Sequence, residues 1–236
     1  MENLLIIGAG GHGKVVAEAA ELENKYKKIS FLDDNANIDK VYNFEVVGRT
    51  NQYRNFKSTY KYAFVAIGNN EVRLRFIDML IEEGFVVPNI IHPKASLSKY
   101  SKIDIGTVIL SGAIVNVDCF IGKGCILNIN SVIDHDSIIG KGVHISSGAV
   151  VRSMVKIGEL STIKARACIT EGKNIEKECP VLLFSTGWPY VIILQSASSK
   201  RGFVCQNHSP YSLPHQNTTT IFCCVTFLHN RIFPER

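Results

Sequence analysis

Residues 134–136 read Asp-His-Asp, a histidine held between two carboxylates. Because a histidine changes protonation state near neutral pH, it is suited to act as a general base, for example in acyl transfer. A neighbouring carboxylate, Asp136 or Asp134, can stabilise the protonated imidazole and raise its basicity. The segment therefore predicts a catalytic base at His135. The alternative is a solvated histidine in a surface loop, and these three residues alone do not separate the two interpretations.

His144 follows nine residues later, within Gly-Val-His-Ile. Its ring N–H is a hydrogen-bond donor that suits a thioester carbonyl or a pantetheine amide. Packing at a subunit contact is the alternative interpretation. Because no third histidine accompanies His135 and His144 between residues 97 and 181, a shared zinc site of the γ-carbonic-anhydrase kind is not favoured and no metal is predicted.

A second chemical motif lies near the N-terminus, where residues 8–13 read Gly-Ala-Gly-Gly-His-Gly and satisfy the pattern G-x-G-x-x-G. The motif separates an apolar run from a helical pattern, so its glycines allow a phosphate to approach the N–H groups of a helix N-terminus. Asp33 and Asp34 follow about 20 residues on, where a ribose-binding acid is expected. The motif favours a nucleotide diphosphate site. A glycine turn needed only for packing, or the cofactor site of an NAD-dependent oxidoreductase, are the alternatives.

These residues must be positioned by the elements around them, and the strongest pattern of the chain is a repeat. A branched aliphatic residue recurs every six positions from residue 97 to residue 181, a period that neither a helix nor a flat strand has. This period is typical of a parallel β-helix, in which each hexad forms one face of a triangular coil. Gly106 and Gly142 are among the glycines that supply backbone freedom at its corners. The repeated residues are Leu97, Ile103, Ile109, Val115, Ile121, Leu127, Ile133, Ile139, Ile145, Val151, Ile157, Ile163, Ile169, Ile175 and Val181.

The rest of the chain divides around this repeat. Residues 1–92 alternate short apolar strands with helical patterns, which predicts an α/β domain with a parallel sheet and a ligand crevice at the carboxyl ends of its strands. Residues 93–181 are predicted to form the all-β solenoid. Residues 182–236 lack both hexads and helical periodicity, and are interpreted as either a polar cap or an irregular, non-homologous tail.

Composition narrows the function classes. The net charge of +5 is small and the basic residues are scattered, so nucleic-acid binding is not predicted. The first residues have no basic segment typical of a secretory signal, and no apolar stretch is long enough to cross a bilayer. The seven cysteines are irregularly spaced, and those in the repeat occupy mainly small corner positions. A cytoplasmic, reduced protein is expected.

Together these features resemble the hexapeptide-repeat family of bacterial sugar acetyltransferases, which modify UDP-4-amino-sugars or sialic acids. The resemblance covers residues 1 to about 180 and depends on five motifs in a fixed order. The motifs are residues 7–13, 31–34, 66–71 with Arg73, 91–93 and 131–136.

The resemblance implies an acetyl-CoA-dependent sugar acetyltransferase with a Rossmann-like N-terminal domain and a left-handed parallel β-helix that forms a homotrimer. It implies that the acceptor is a UDP-amino-sugar (or a sugar hydroxyl) and that transfer is direct. His135 matches the family's catalytic base and Asp136 its supporting acid, while His144 and Ala165 correspond to contacts of acetyl-CoA. The residues implied to contact the nucleotide sugar are Gly10, Gly11, His12, Asp33, Asp34 and Gly68.

The sequence departs from this family at two places. Lys164 and Arg166 flank Ala165 where the family usually has small residues, so that they either block the pantetheine or pair with phosphates of CoA. The repeat also stops after Val181, about one coil early. The alternative function is therefore a catalytically impaired trimer of the same fold that binds a nucleotide sugar.

Overall fold

The structure, a computed structural model, describes residues 2–181. The predicted tail, residues 182–236, lies outside the described residues.

The N-terminal part is a five-stranded sheet with the order β3-β4-β2-β1-β5, in which only β3 runs antiparallel to its neighbour. Strand β1 lies between β2 and β5, and its last four residues are fully buried, as in a strand covered on both faces. This is the predicted Rossmann-like arrangement. The elements are β1 (Glu2–Ile7), α1 (Gly11–Leu22), β2 (Tyr26–Leu32), β3 (Lys40–Val41), β4 (Phe44–Gly48), a 3-10 helix (Thr50–Phe56), β5 (Tyr62–Val65) and α2 (Asn70–Glu82).

From Ile90 onward the chain winds as the predicted left-handed parallel β-helix, with three sheets of two-residue strands. Face 1 contains β6 (Ile90–Ile91), β9 (Val108–Ile109), β12 (Ile126–Leu127), β15 (His144–Ile145), β18 (Thr162–Ile163) and β21 (Pro180–Val181). Face 2 contains β7 (Ser96–Leu97), β10 (Ile114–Val115), β13 (Val132–Ile133), β16 (Val150–Val151) and β19 (Cys168–Ile169). Face 3 contains β8 (Lys102–Ile103), β11 (Phe120–Ile121), β14 (Ile138–Ile139), β17 (Lys156–Ile157) and β20 (Asn174–Ile175).

Each strand pairs with the strand one coil later, so residues eighteen apart stand side by side, as Val115 does with Ile133. The second residue of each strand packs into the core of the prism, and the first points outward. Every sixth residue from Gly106 to Glu178 has a positive φ, which turns the chain at each corner. Several of these residues are not glycine, among them Asp136 (φ 59°) and Arg166 (φ 61°).

The N-terminal part covers one face and one corner of the prism. Helix α1 packs on face 1, where the outward residues Ile90, Val108 and Ile126 are buried with it in a shared apolar cluster. Helix α2 lies along the corner between faces 3 and 1. There a Cβ at Gly124 would come within 2.7–2.8 Å of Ile77 and Leu74, so only glycine permits this approach.

Candidate active site

The glycine motif forms the turn between β1 and α1. Gly8 has φ 104°, and a Cβ added at Gly13 would lie 2.1 Å from the Gly8 carbonyl oxygen, so both positions require glycine for the turn itself. Gly10 and Gly11 differ, since a Cβ there would meet nothing within 4 Å in the described part of the chain. They leave the N-terminus of α1 open, and no described side chain caps it. Such an end accepts a phosphate oxygen well.

Asp33 and Asp34 lie at the same edge of the sheet, directly after β2. Both carboxylate oxygens of Asp33 accept backbone hydrogen bonds, Oδ2 from Ala9 N–H at 2.6 Å and Oδ1 from Asn35 N–H at 2.8 Å. Asp34 Oδ1 accepts from Thr50 N–H at 3.0 Å and from its hydroxyl at 2.9 Å. Asp33 therefore ties the glycine motif to the next loop. Any contact it makes with a ribose uses the remaining lone pairs of its oxygens.

His12 and His144 lie near each other where the N-terminal part contacts face 1, and Arg73, which donates to the Gly68 carbonyl, lies near both. Burial is the main reason why the pKa of His12 and that of His144 fall to about 4, and the nearby charge of Arg73 adds to both shifts. The two imidazoles are therefore neutral at physiological pH. The Nε2 atoms of both rings are buried without a hydrogen-bond partner among the described residues.

His135 lies at the corner between faces 2 and 3, with 44% of its side chain exposed. Its Nδ1 contacts Asp136 Oδ2 at 2.7 Å, and Asp134 Oδ1 accepts the backbone N–H of His135 at 2.8 Å. The hydrogen bond to Asp136 raises the pKa of His135, and the charges of Asp134, Asp136 and Glu171 act in the same direction. The Asp136 contact occupies Nδ1, which directs Nε2 away from the carboxylate as the nitrogen that can accept a proton.

One chain does not bring all the predicted site residues together. His12 lies near His144 on face 1, and Gly10, Gly11, Asp33 and Gly68 lie in loops at the carboxyl ends of β1, β2 and β5, whereas His135 and Asp136 occupy the corner opposite face 1. In a triangular prism the body of the coil separates these two places. A reaction that needs both must therefore use more than one copy of the chain.

A cavity of about 360 Å³ opens beside Gly68, between the start of α2 and the later coils. Its wall includes Thr162, whose strand pairs with that of His144, and Asn70, whose amide donates to the Thr162 hydroxyl at 3.1 Å. The lining is polar, which suits a sugar more than an apolar chain. The lining residues are Gly68, Asn69, Asn70, Glu71, Leu160, Thr162 and Glu178.

Ala165 lies at the corner between faces 1 and 2, one coil beyond Ser147. Lys164 and Arg166 beside it are exposed, and neither forms a salt bridge within residues 2–181. The charge of Lys164 contributes to the low pKa of His144, which places this cation near face 1. The Cγ atom of Arg166 lies 3.8 Å from where a Cβ of Gly148 would be, so the side chain runs back along the corner.

The sequence alone assigned no site role to Arg73, Asn70, Thr50 or Thr162, although Arg73 and Asn70 belong to a motif of the resemblance. These residues form hydrogen bonds with backbone carbonyls or with residues far away in the sequence. The local spacing of residue types does not predict such contacts. Among residues 2–181, no helix is long and apolar enough to span a membrane, and no three His, Cys, Asp or Glu residues are grouped as a metal site requires.

Comparison with known proteins gives two matches along the chain itself. Residues 3–80 match the family described as PglD N-terminal domain, and residues 118–153 match the bacterial transferase hexapeptide family. A UDP-N-acetylbacillosamine N-acetyltransferase of Bacillus subtilis (strain 168) is 30% identical over 115 residues, which are 47% of this chain and 52% of that protein. The matched segment thus spans about half the length of that relative.

Two solved structures match a larger share of the chain. The acetyltransferase domain of PglB from Neisseria gonorrhoeae, in complex with acetyl coenzyme A, is 35% identical with a TM-score of 0.74, over 76% of this chain and 87% of that one. PerB from Caulobacter crescentus, in complex with CoA and GDP-perosamine, is 28% identical with a TM-score of 0.71, over 77% and 86%. With both parts of its fold matched in this way, the chain belongs to the hexapeptide-repeat family of bacterial sugar N-acetyltransferases.

Proposed function

We propose that this protein transfers the acetyl group of acetyl-CoA to the amine of a UDP-linked 4-amino sugar, with His135 as the general base. The observation that carries this proposal is the 2.7 Å contact between His135 Nδ1 and Asp136 Oδ2 at an exposed corner, because it raises the basicity of the imidazole and leaves Nε2 to accept a proton. The relatives support the substrate class, since their names include a UDP-linked and a GDP-linked amino sugar.

Residues 1–92 hold the nucleotide sugar in this proposal. The diphosphate lies at the N-terminus of α1, against Gly10, Gly11 and His12. Asp33 and Asp34 lie beside the nucleoside. The sugar extends past Gly68 into the polar cavity at the start of α2, which supports an acceptor with hydroxyl and amine groups.

Residues 93–181 bind acetyl-CoA and carry out the transfer. His144 fits a contact with the thioester or the pantetheine, because its imidazole is neutral and only partly buried, and its Nε2 has no partner within the described residues. Ala165 offers its backbone at the adjacent corner. Lys164 and Arg166, two exposed cations without salt bridges in residues 2–181, suit phosphates of CoA.

The transfer is direct and needs no covalent enzyme intermediate. The amine nitrogen attacks the thioester carbonyl carbon and forms the C–N bond, while His135 Nε2 removes a proton from that nitrogen. The C–S bond then breaks and the leaving thiolate takes the proton from His135. The products are the acetamido sugar and free CoA.

A homotrimer completes the site in this proposal. Face 1 is covered by α1, whereas the outward residues of faces 2 and 3 include Ile114 at 42% and Ile138 at 45% exposure in the described chain. Packing these apolar side chains against other copies removes them from water. It also brings the His135 corner of one copy toward the nucleotide-sugar site of another, which supports a site shared between subunits.

The test is a thiol-release assay with acetyl-CoA and a panel of UDP- and GDP-linked 4-amino sugars, using the full chain. We expect CoA release that depends on the acceptor and is fastest with a UDP-linked amine. Binding of nucleotide sugar by calorimetry without CoA release from any acceptor would instead indicate the catalytically impaired trimer. Release with UDP-linked sugars that lack the amine would contradict N-acetylation.

A further inference from the structure

Arg73 is the largest fully buried side chain of the described residues, with 1% of the residue exposed. It stands on the first turn of α2, between the loop of residues 67–70 and the corner between faces 3 and 1. All of its guanidinium nitrogens donate. Nε bonds the Gly124 carbonyl at 2.7 Å, Nη1 bonds the carbonyls of Ile67 and Gly68 at 2.9 and 3.2 Å, and Nη2 bonds Asn70 Oδ1 and the Gly142 carbonyl at 2.8 and 2.9 Å.

The acceptors of this cation are all neutral. No carboxylate forms a salt bridge with Arg73 within residues 2–181, and burial lowers the pKa of its guanidinium to about 10. The side chain therefore stays charged at neutral pH without a counter-ion. Burying an unpaired charge is costly even when it is fully hydrogen-bonded. A leucine or methionine fills a similar volume without a buried charge, but it leaves the five acceptors of Arg73 without a donor. What arginine adds here is a set of bonds between these acceptors.

The five bonds of Arg73 join two regions that the proposed reaction uses. On one side are the carbonyls of Ile67 and Gly68, in the loop that borders the cavity for the sugar. On the other side are carbonyls of two successive coils, and Gly142 lies two residues before His144. The planar guanidinium has five donors in a fixed arrangement, and all five are matched, so it sets both the distance and the angle between these regions.

We propose that Arg73 is a positioning residue that fixes the 67–70 loop against the coils leading to His144, so that nucleotide-sugar affinity depends on it far more than acetyl-CoA affinity does. The inference rests on the function proposed above. The asymmetry follows from the packing, because the coils are tied to their neighbours on both sides by strand pairing, whereas the loop carbonyls of Ile67 and Gly68 are held by Arg73.

The test compares Arg73→Met with Arg75→Met, a change at an exposed arginine on the same helix. In Arg73→Met we expect KM for the nucleotide sugar to rise about tenfold or more, as for the loss of hydrogen bonds to a buried charge. The KM for acetyl-CoA stays within about threefold, because the strand-paired coils keep their geometry. Arg73→Lys gives an intermediate KM because lysine keeps the charge but has only three donors. Arg75→Met behaves as the original protein.

Hydrogen exchange without any ligand gives a second measurement that does not depend on activity. The Val72 N–H is bonded to Asn69 Oδ1 and the Arg73 N–H to the Asn69 carbonyl, so these amides report on how firmly the loop is held. We expect faster exchange in this first turn of α2 for Arg73→Met and unchanged exchange in β12 and β15.

The outcomes separate the two proposals. Equal increases in both KM values, or equally faster exchange throughout the chain, would show that Arg73 contributes only to general stability and would overturn the inference. Unchanged exchange in the first turn of α2 would overturn it as well. If the original protein acetylates no nucleotide amino sugar, the proposed function fails, and the exchange experiment still decides the role of Arg73. If Arg73→Met does not fold, Arg73→Lys provides both measurements.

Discussion

His135 and His144 are nine residues apart in the chain, yet the fold gives them opposite surroundings. His135 lies exposed at a corner, its Nδ1 is 2.7 Å from Asp136 Oδ2, and its pKa is raised by that contact and by neighbouring carboxylates. His144 lies beneath the N-terminal part, and burial and the charges of Arg73 and Lys164 lower its pKa to about 4.

The comparison shows how one side-chain type can take two roles in one coil. A histidine with a raised pKa is a stronger base than an ordinary imidazole, which favours proton removal. A histidine that stays neutral around pH 7 has one N–H donor and one nitrogen lone pair. It can therefore bind a polar ligand without becoming charged. The surroundings of the two imidazoles, more than their positions in the repeat, indicate which is the base.

The largest difference between the two histidines is expected in kcat. His135→Ala removes the base, so kcat should fall by about 10² to 10⁴ with KM for acetyl-CoA nearly unchanged. His144→Ala removes a ligand contact, so its main effect should be a higher KM for acetyl-CoA. Thiol-release kinetics on both variants measure these effects. An equal loss of kcat in the two variants would remove the distinction between them.

The Asp136 carboxylate is expected to set the basicity of His135. The base must be neutral, so kcat/KM should rise with pH and level off above the pKa of His135. Asp136→Asn removes the largest cause of the raised pKa of His135, so the rise should move to lower pH and the plateau should fall, because the imidazole becomes a weaker base. A pH profile of kcat/KM for both proteins measures the shift. The same midpoint in both would show that Asp136 does not act on His135.

A smaller effect, on the free energy of unfolding, is expected to distinguish the corner of the β-helix that contacts α2 from a corner that does not. Gly142 and Gly148 have nearly the same φ, 68° and 67°, so alanine at either position carries the same backbone strain. Only Gly142 faces α2, where a Cβ would lie 2.8 Å from Leu74 Cδ1. We therefore expect Gly142→Ala to lower the free energy of unfolding by about 1 kcal/mol more than Gly148→Ala. Urea unfolding of both variants measures the difference, and equal values would contradict the tight packing of α2 against this corner.

The sequence predicted the solenoid well because its signal is repeated in every coil. Each of the inward positions, such as Ile133 and Ile145, packs into the same core. Because many equivalent positions support the same fold, an ambiguous residue at one of them does not change the prediction. The N-terminal part was predicted less completely. Strands β3 and β4 and the 3-10 helix were missed, because the two strands lie at the edge of the sheet and are short or only partly buried.

The candidate site was predictable where chemistry and local spacing coincide. The Asp134–His135–Asp136 segment and the glycine motif are contiguous, and their types alone suggest a base and a phosphate site. The role of Arg73 depends on carbonyls from Gly124 and Gly142, which approach it only after the two parts of the chain have packed together. The spacing of residues in the sequence therefore does not predict these contacts.

The most direct test of this account is an NMR pH titration of the histidine rings in the full chain, with His135→Ala and His144→Ala used to assign the two signals. We predict that His135 titrates above the ordinary value of 6.5 and that His144 remains neutral until the pH approaches 4. A His144 that titrates above His135 would contradict the assignment of His135 as the base and of His144 as a neutral ligand contact.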